Sequence, residues 1–202
     1  ENMEKIGDDK VSAIYVTKID GNAVNLLGHN SYHAEILDGI ADNIAPEAVA
    51  GSGLGDQYTM EDIFQMNPDY IIVSGSGLFD HDYYNEIMGS DMWAALPAVQ
   101  EGRVIESPAD APWAWMGNPP ASHRLISILW LGNIFYPDVF DYDLEEKVKE
   151  FYSMFYNYEL SNEEYAEMLK YSTGNAEQTA SSPAPVLGVL AGLGAAFLLR
   201  RR

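Results

Sequence analysis

No cysteine occurs anywhere in the 202 residues. Disulfides, thiolate nucleophiles and cysteine-ligated metals are therefore excluded, and the redox compartment stays open. Positive charge is scarce too: 11 Lys and Arg stand against 31 Asp and Glu, a formal net charge of −20. Nothing here could neutralise a run of phosphates, so nucleic acid is not an expected partner. The acidity reads as a well-solvated surface that keeps the chain soluble, and a monomer is expected. There is no internal repeat, no phosphate loop, no dinucleotide fingerprint and no Ser–His–Asp order, so an enzyme is disfavoured. The chain opens on Glu1 without a signal-peptide pattern, and Glu1 is read as an internal cut with sequence upstream. What is present is ordinary globular material: hydrophobic content is 47%, and 202 residues are enough for one α/β domain with a sizeable core.

The organising stretch is Tyr58 to Gly77, YTMEDIFQMNPDYIIVSGSG. Thr59 with Asp62 three residues on is a capping-box signature. Met60, Ile63 and Phe64 then give one apolar helical face, and Asn67-Pro68 ends the helix. Tyr70-Ile71-Ile72-Val73 is a continuous apolar run, as expected for a parallel strand covered on both faces. Ser74-Gly75-Ser76-Gly77 follows at the strand's carboxyl end, where open α/β sheets hold ligands. This helix, Asn-Pro-Asp, apolar strand and small-residue loop resembles a unit of the class III substrate-binding proteins of ABC importers, which serve iron–siderophore complexes, haem, cobalamin and, in some members, metal oxyanions.

Upstream, Val11 to Val16 reads as a strand, Ile19 to Ala23 as a turn signalled by Asp20-Gly21, and Val24 to Leu27 as a second short strand. Gly28-His29-Asn30-Ser31 reads as a loop capping a helix whose apolar face is Tyr32, Ile36, Leu37 and Ile40. Ala41-Asp42-Asn43-Ile44-Ala45 is similar to the family's usual exit from that helix, and Pro46 to Gln57 is expected to be loop. Downstream, Asp80 to Met88 can form a helix. Trp93 to Val104, WAALPAVQEGRV, resembles a second family motif, a helical turn followed by a strand, with Pro97 breaking the turn and Gly102 reversing the chain. Pro112 to Pro120, followed by Ser122, Arg124-Leu125 and Trp130-Leu131, is a third resemblance. Pro119-Pro120 suit a helix's first turn, and Ile126 to Phe135 is apolar nearly all round, so that helix should be buried. Asp143 to Phe155 is amphipathic, with Leu144, Val148, Phe151, Tyr152 and Phe155 on one face. Ser161 with Glu164 caps a further helix carrying Tyr165, Met168 and Leu169.

The resemblance covers Val11 to about Leu169 and implies an α/β, Rossmann-like lobe with a mostly parallel sheet flanked by helices, the C-terminal one of two lobes that grip ligand between them. The other lobe is not in this sequence. The division expected is the end of an upstream helix at 1–10, the lobe at 11–170, a polar linker at 171–183 and a hydrophobic tail at 184–202. Val186 to Leu199 followed by Arg200-Arg201-Arg202 is short for a membrane span, which wants about 20 apolar residues, but it fits a tail held at the membrane with its basic end in the cytoplasm. It also resembles the C-terminal sorting tails of archaeal surface proteins.

Three loops are expected at the cleft. Asn30, Ser31 and Tyr32 offer hydrogen-bond donors beside a helix start, or Asn30 or Ser31 is an ordinary N-cap. Ser76 represents the small-residue loop. Trp113, Trp115 and Asn118 belong to the third; the two indoles either stack on a flat ligand or at least one packs inside. Asn118 stands where relatives with anionic ligands often carry Arg, leaving Arg124 as the nearby cation, for which a salt bridge is the simpler role. By resemblance Glu61 docks on the permease, with Asp62 or Glu47 as substitutes; otherwise it is a first-turn carboxylate favoured by the helix dipole. A competing metal site would draw on His29, His33 and His81, with Glu35 nearby. The resemblance thus implies a non-enzymatic, cofactor-free solute-binding component of an ABC importer on the extracellular face of the membrane, carrying an iron chelate, haem or corrinoid to a permease and its ATPase. A direct metal or oxyanion carrier, and a surface scaffold or sensor, are the alternatives.

Overall fold

The computed structural model describes residues 2–51, 53, 55–75, 81–109, 114–116 and 122–174. After a short helix α1 (Asn2–Ile6), strand β1 (Ser12–Asp20) forms a hairpin with β2 (Ala23–Leu26). Gly21 sits in the turn at φ +62°, the conformation the Asp-Gly signal anticipates. Helix α2 (Glu35–Ile40) leads to a two-residue strand β3 (Asp42–Asn43), then β4 (Asp56–Thr59), α3 (Met60–Met66) and β5 (Tyr70–Val73). Helix α4 (Asp82–Gly89), a 3-10 turn at Trp93–Ala95, α5 (Pro97–Gln100), β6 (Val104–Glu106), α6 (His123–Phe135), α7 (Leu144–Tyr156) and α8 (Asn162–Met168) complete the described chain.

The sheet order is β4-β2-β1-β5-β6, with β3 paired to the start of β1. β1, β5 and β6 run parallel, with Ile14 opposite Ile71 and Ile72 opposite Ile105, while β2 and β4 are antiparallel. The apolar run Ile71–Val73 lies inside this sheet, between β1 and β6, and is wholly buried, because helices cover both faces. One face packs against α2, α6 and α7 through Leu37, Ile126, Trp130, Leu131 and Val148. The other packs against α3, α4 and the Trp93–Val99 segment through Ile63, Ile87, Trp93 and Leu96.

Local signals formed as expected where they were self-contained. Thr59 and Asp62 make a reciprocal capping box on α3, and Asn67 ends that helix in the left-handed region. Ser161 and Glu164 cap α8 likewise, and Asp143 caps α7. Several readings need correction. The expected loop ends early: Asp56 and Gln57 already belong to the edge strand Asp56–Thr59. Pro97 begins α5 rather than breaking a turn, as its missing N–H allows at the first helical position. Phe64 and Phe155 lie largely outside the apolar faces assigned to them. Asn30 and Ser31 are not N-caps: α2 starts later, at Glu35, with Ala34 as its N-cap residue and no side-chain cap. Tyr32 is 62% exposed and precedes the helix rather than joining its apolar face. Ser172, expected in a linker, is buried; its Oγ donates to the Glu106 carbonyl at 2.6 Å and its carbonyl accepts from Trp130 Nε1 at 2.7 Å. The segment thereby covers the outer edge of β6, where Glu106 N donates to Tyr171 O at 2.8 Å. Among the described residues no helix is long and apolar enough to cross a membrane; residues 184–202 lie outside them.

Candidate functional site

Parallel strands share one carboxyl edge, and here it is built from the ends of β5 and β6. Ser74 N donates to Val16 O, and Ser107 N to Val73 O, both at 2.8 Å. Gly75 is required at this joint: a Cβ there would stand 1.9 Å from the Ser107 carbonyl oxygen. Below it the Tyr15 phenol is buried beside Ser74 and Ser107, though Ser107 Oγ makes no hydrogen bond of normal geometry among the described residues. Burial pushes its pKa up, and those two hydroxyls only partly oppose the rise. The edge is thus a polar, hydroxyl-rich shelf on an apolar sheet.

On one side of the shelf, His81 adopts φ +54° before α4 and its Nδ1 lies 2.6 Å from Glu106 Oε1, a carboxylate that is 8% exposed. The Tyr171 ring stacks on His81 at 4.3 Å and meets Tyr84 at 5.1 Å. Burial, followed by the neighbouring Glu106 charge, raises the Tyr84 pKa. On the other side, α6 begins. Its far end is fixed at the opposite, amino edge, where Tyr136 Oη donates to Ile40 O and accepts from Val11 N. Its first turn therefore lies toward the carboxyl edge. There Arg124 bonds Glu35 Oε2 at 2.5 Å and Tyr32 O at 2.7 Å, and its guanidinium carbon sits 4.8 Å from the centre of the Tyr32 ring. A salt bridge is the role read from the sequence, and Glu35 is its partner; the stacking on Tyr32 adds a cation–π contact.

The sequence-selected residues are only partly gathered by this arrangement. Tyr32 stands exposed over Arg124, with His33 edge-on at 5.4 Å. Ser31 Oγ accepts from His33 N at 3.3 Å. Asn30 turns elsewhere: its N–H donates to Asp38 Oδ2 at 2.7 Å and its amide reaches His29 Nδ1 and Glu47. With His29, Asp38 and Asn43 it lines an open groove of about 740 Å³ near Lys10 and Pro46, at the amino end of β1. Trp115 is packed inside, 1% exposed, edge-on to Trp130 and donating to Tyr152 Oη at 3.4 Å. Ser76, Trp113 and Asn118, with Pro119-Pro120, lie outside the described residues. Glu61 is exposed on the first turn of α3, while the neighbouring Asp62 is engaged by Thr59. His29, His33 and His81 occupy three different settings, and among the described residues no three His, Asp or Glu side chains are grouped to hold a metal.

Sequence reasoning missed the buried Glu106, which looked like the end of an apolar strand, and His123, which looked like part of a polar helix start. Both are defined by tertiary neighbours.

A family described as periplasmic binding protein matches residues 2–111. An ABC transporter solute binding protein from Sulfurospirillum deleyianum has a similar structure at 28% identity, TM-score 0.73, over 84% of this chain and 50% of that one. A periplasmic solute binding protein from Veillonella parvula follows at 26% identity, TM-score 0.61, over 87% and 51%. The molybdate-bound protein MolA of Haemophilus influenzae shares the fold at 21% identity, TM-score 0.59, over 79% and 46%. The chain spans about half the length of these solved structures. No curated protein matches it.

Proposed function

We propose, on the premise that this chain belongs to the periplasmic binding protein family, that it is the C-terminal lobe of the solute-binding component of an ABC importer. The observation that supports this most is its likeness to the Sulfurospirillum ABC transporter solute binding protein across most of its own length. The action is capture: two lobes close on a small molecule outside the cell, the closed form docks, and the permease with its ATPase takes the cargo. No bond is made or broken.

The ligand in this reading is an iron chelate, haem or corrinoid. In this reading it is contacted by Ser31, Tyr32, Ser76, Trp113 and Asn118, while Asn30 is turned toward the groove at the amino end of β1. Trp115 has no exposed face to offer, so stacking on a flat ligand falls to Trp113. Glu61 is the docking carboxylate, exposed at a helix start where an arginine of a permease can reach it. The apolar segment from Ala184 with its terminal arginines holds the lobe at the outer face of the membrane.

Fluorescence titration tests the ligand class. A ferric hydroxamate, haem and cobalamin are added separately, with molybdate, zinc and nickel as the competing arm. Saturable quenching by a chelate that is lost in Trp113→Phe supports the reading. Binding only by bare ions, abolished by changing His29, His33 or His81, would replace it with a direct ion carrier. No binding by any of them would point to a scaffold or sensor, and uptake left intact in Glu61→Lys would count against docking through Glu61.

A further inference from the structure

His123 opens α6 and is completely buried. Its ring lies among three aromatic rings of α7: Phe151 edge-on at 5.3 Å, Tyr152 at 6.2 Å and Tyr156 at 5.4 Å. Nδ1 is 3.3 Å from Tyr156 Oη, which in turn lies 3.4 Å from Ser122 Oγ. Nε2 is buried with no hydrogen-bond partner among the described residues. One ring nitrogen is thus left unsatisfied in either neutral tautomer. In the imidazolium form both nitrogens must donate, and Nε2–H would have no acceptor in an apolar cage. The position compounds this, because a 13-residue helix presents the positive end of its dipole there. The titratable groups facing the ring are Tyr152 and Tyr156 from α7. Arg124, the charged neighbour on α6, is turned to Glu35 and Tyr32. No described carboxylate bonds to His123. Burial accordingly holds its pKa below the ordinary histidine value.

We propose that His123 is an acid-sensitive clasp: neutral, it locks the first turn of α6 onto α7; protonated, it leaves the aromatic cage for water and frees the carboxyl-edge end of α6. The clasp rests on the fold alone. Its consequence, weaker retention of cargo in acid, rests on the transport reading above, and the two are tested separately. The sign follows from linkage. A histidine whose folded pKa is depressed keeps its full contribution above the unfolded value of about 6.5. It loses that contribution as pH falls from there through the folded value, by up to about tenfold in the unfolding equilibrium per pH unit.

The experiment is hydrogen exchange, corrected for intrinsic rates, on the full chain at pH 7.5 and 5.5, for wild type and His123→Phe. The NMR titration of the His123 ring is followed in parallel. The expected result is several-fold faster exchange of the 122–130 and 150–157 amides at pH 5.5 in wild type, absent in His123→Phe, with the ring titrating below 6.5. Equal pH response in both proteins overturns the clasp. If His123→Phe does not fold, the wild-type titration decides: a ring titrating at or above 6.5, or one titrating without loss of α6 protection, overturns it. Haem retention at the two pH values is then a separate readout, whose failure would sink only the cargo consequence.

Discussion

Gly75→Ala is the substitution that most directly probes how the carboxyl edge is built. The new Cβ would meet the Ser107 carbonyl oxygen at 1.9 Å and the Ala109 Cβ at 3.0 Å. An ordinary carbon–oxygen contact is about 3.3 Å, so the ends of β5 and β6 must part by roughly 1.4 Å. The bond from Ser107 N to Val73 O, 2.8 Å long, crosses the same joint and would be broken by that movement. Overpacking costs about 1–3 kcal/mol, and a buried polar group left unpaired about 1–3 kcal/mol. The stiffer unfolded chain returns about 0.4–1 kcal/mol. The net loss is about 1–5.5 kcal/mol, which at a urea slope of about 2 kcal/mol per M lowers the unfolding midpoint by on the order of 0.5–3 M. Gly39→Ala is the control, since Gly39 lies in α2 with nothing within 4 Å of an added methyl; it should gain about 0.5–1 kcal/mol. Urea unfolding followed by circular dichroism reads both. A Gly75→Ala midpoint at or above wild type, or an equal fall in Gly39→Ala, would refute the steric account of this edge.

Trp130→Phe removes the 2.7 Å bond to the Ser172 carbonyl and should cost about 1–3 kcal/mol, with early proteolysis after residue 170 as the local sign. Asp69 accepts from Ser12 N and Oγ at 2.9 and 2.8 Å. Its pKa is held down first by the backbone bond from Ser12. Its contribution is therefore complete above about pH 4 and is lost as pH falls through the folded value. Asp69→Asn should flatten the acid limb of a stability–pH curve; an unchanged limb would rule the bond out as its source. With a net charge of −20, the melting temperature should rise as NaCl goes from 0.01 to 0.15 M, because the screening length shrinks from about 30 to about 8 Å; a fall would show that self-repulsion is not the dominant charge effect.

Much of the scaffold was legible because its signals are local. The Thr59–Asp62 and Ser161–Glu164 boxes each close within one turn. The Tyr70–Val73 run could be recognised as a central parallel strand from its unbroken apolarity. The edge strand Asp56–Thr59 carried no such run, since its residues alternate between half-buried and exposed. Tyr32 fits an apolar helical period on paper, but α2 begins three residues later and leaves the ring over Arg124. Trp115 and Trp113 look equivalent in sequence; only the positions of Trp130 and Tyr152 make Trp115 a core residue. Ser172 reads as linker until Trp130 and Glu106, distant in sequence, are seen to hold it. Three-dimensional neighbours decide such cases, and no spacing rule along the chain encodes them.

The central claim, that this lobe helps capture a metal-bearing small molecule for import, is tested most directly by isolating the protein at its natural length from its own cells. Mass spectrometry then identifies what is bound and what cross-links to Glu61. The account expects an iron chelate, haem or corrinoid in the cleft and a permease at Glu61. An empty protein that takes up none of these and cross-links to no transporter would contradict it.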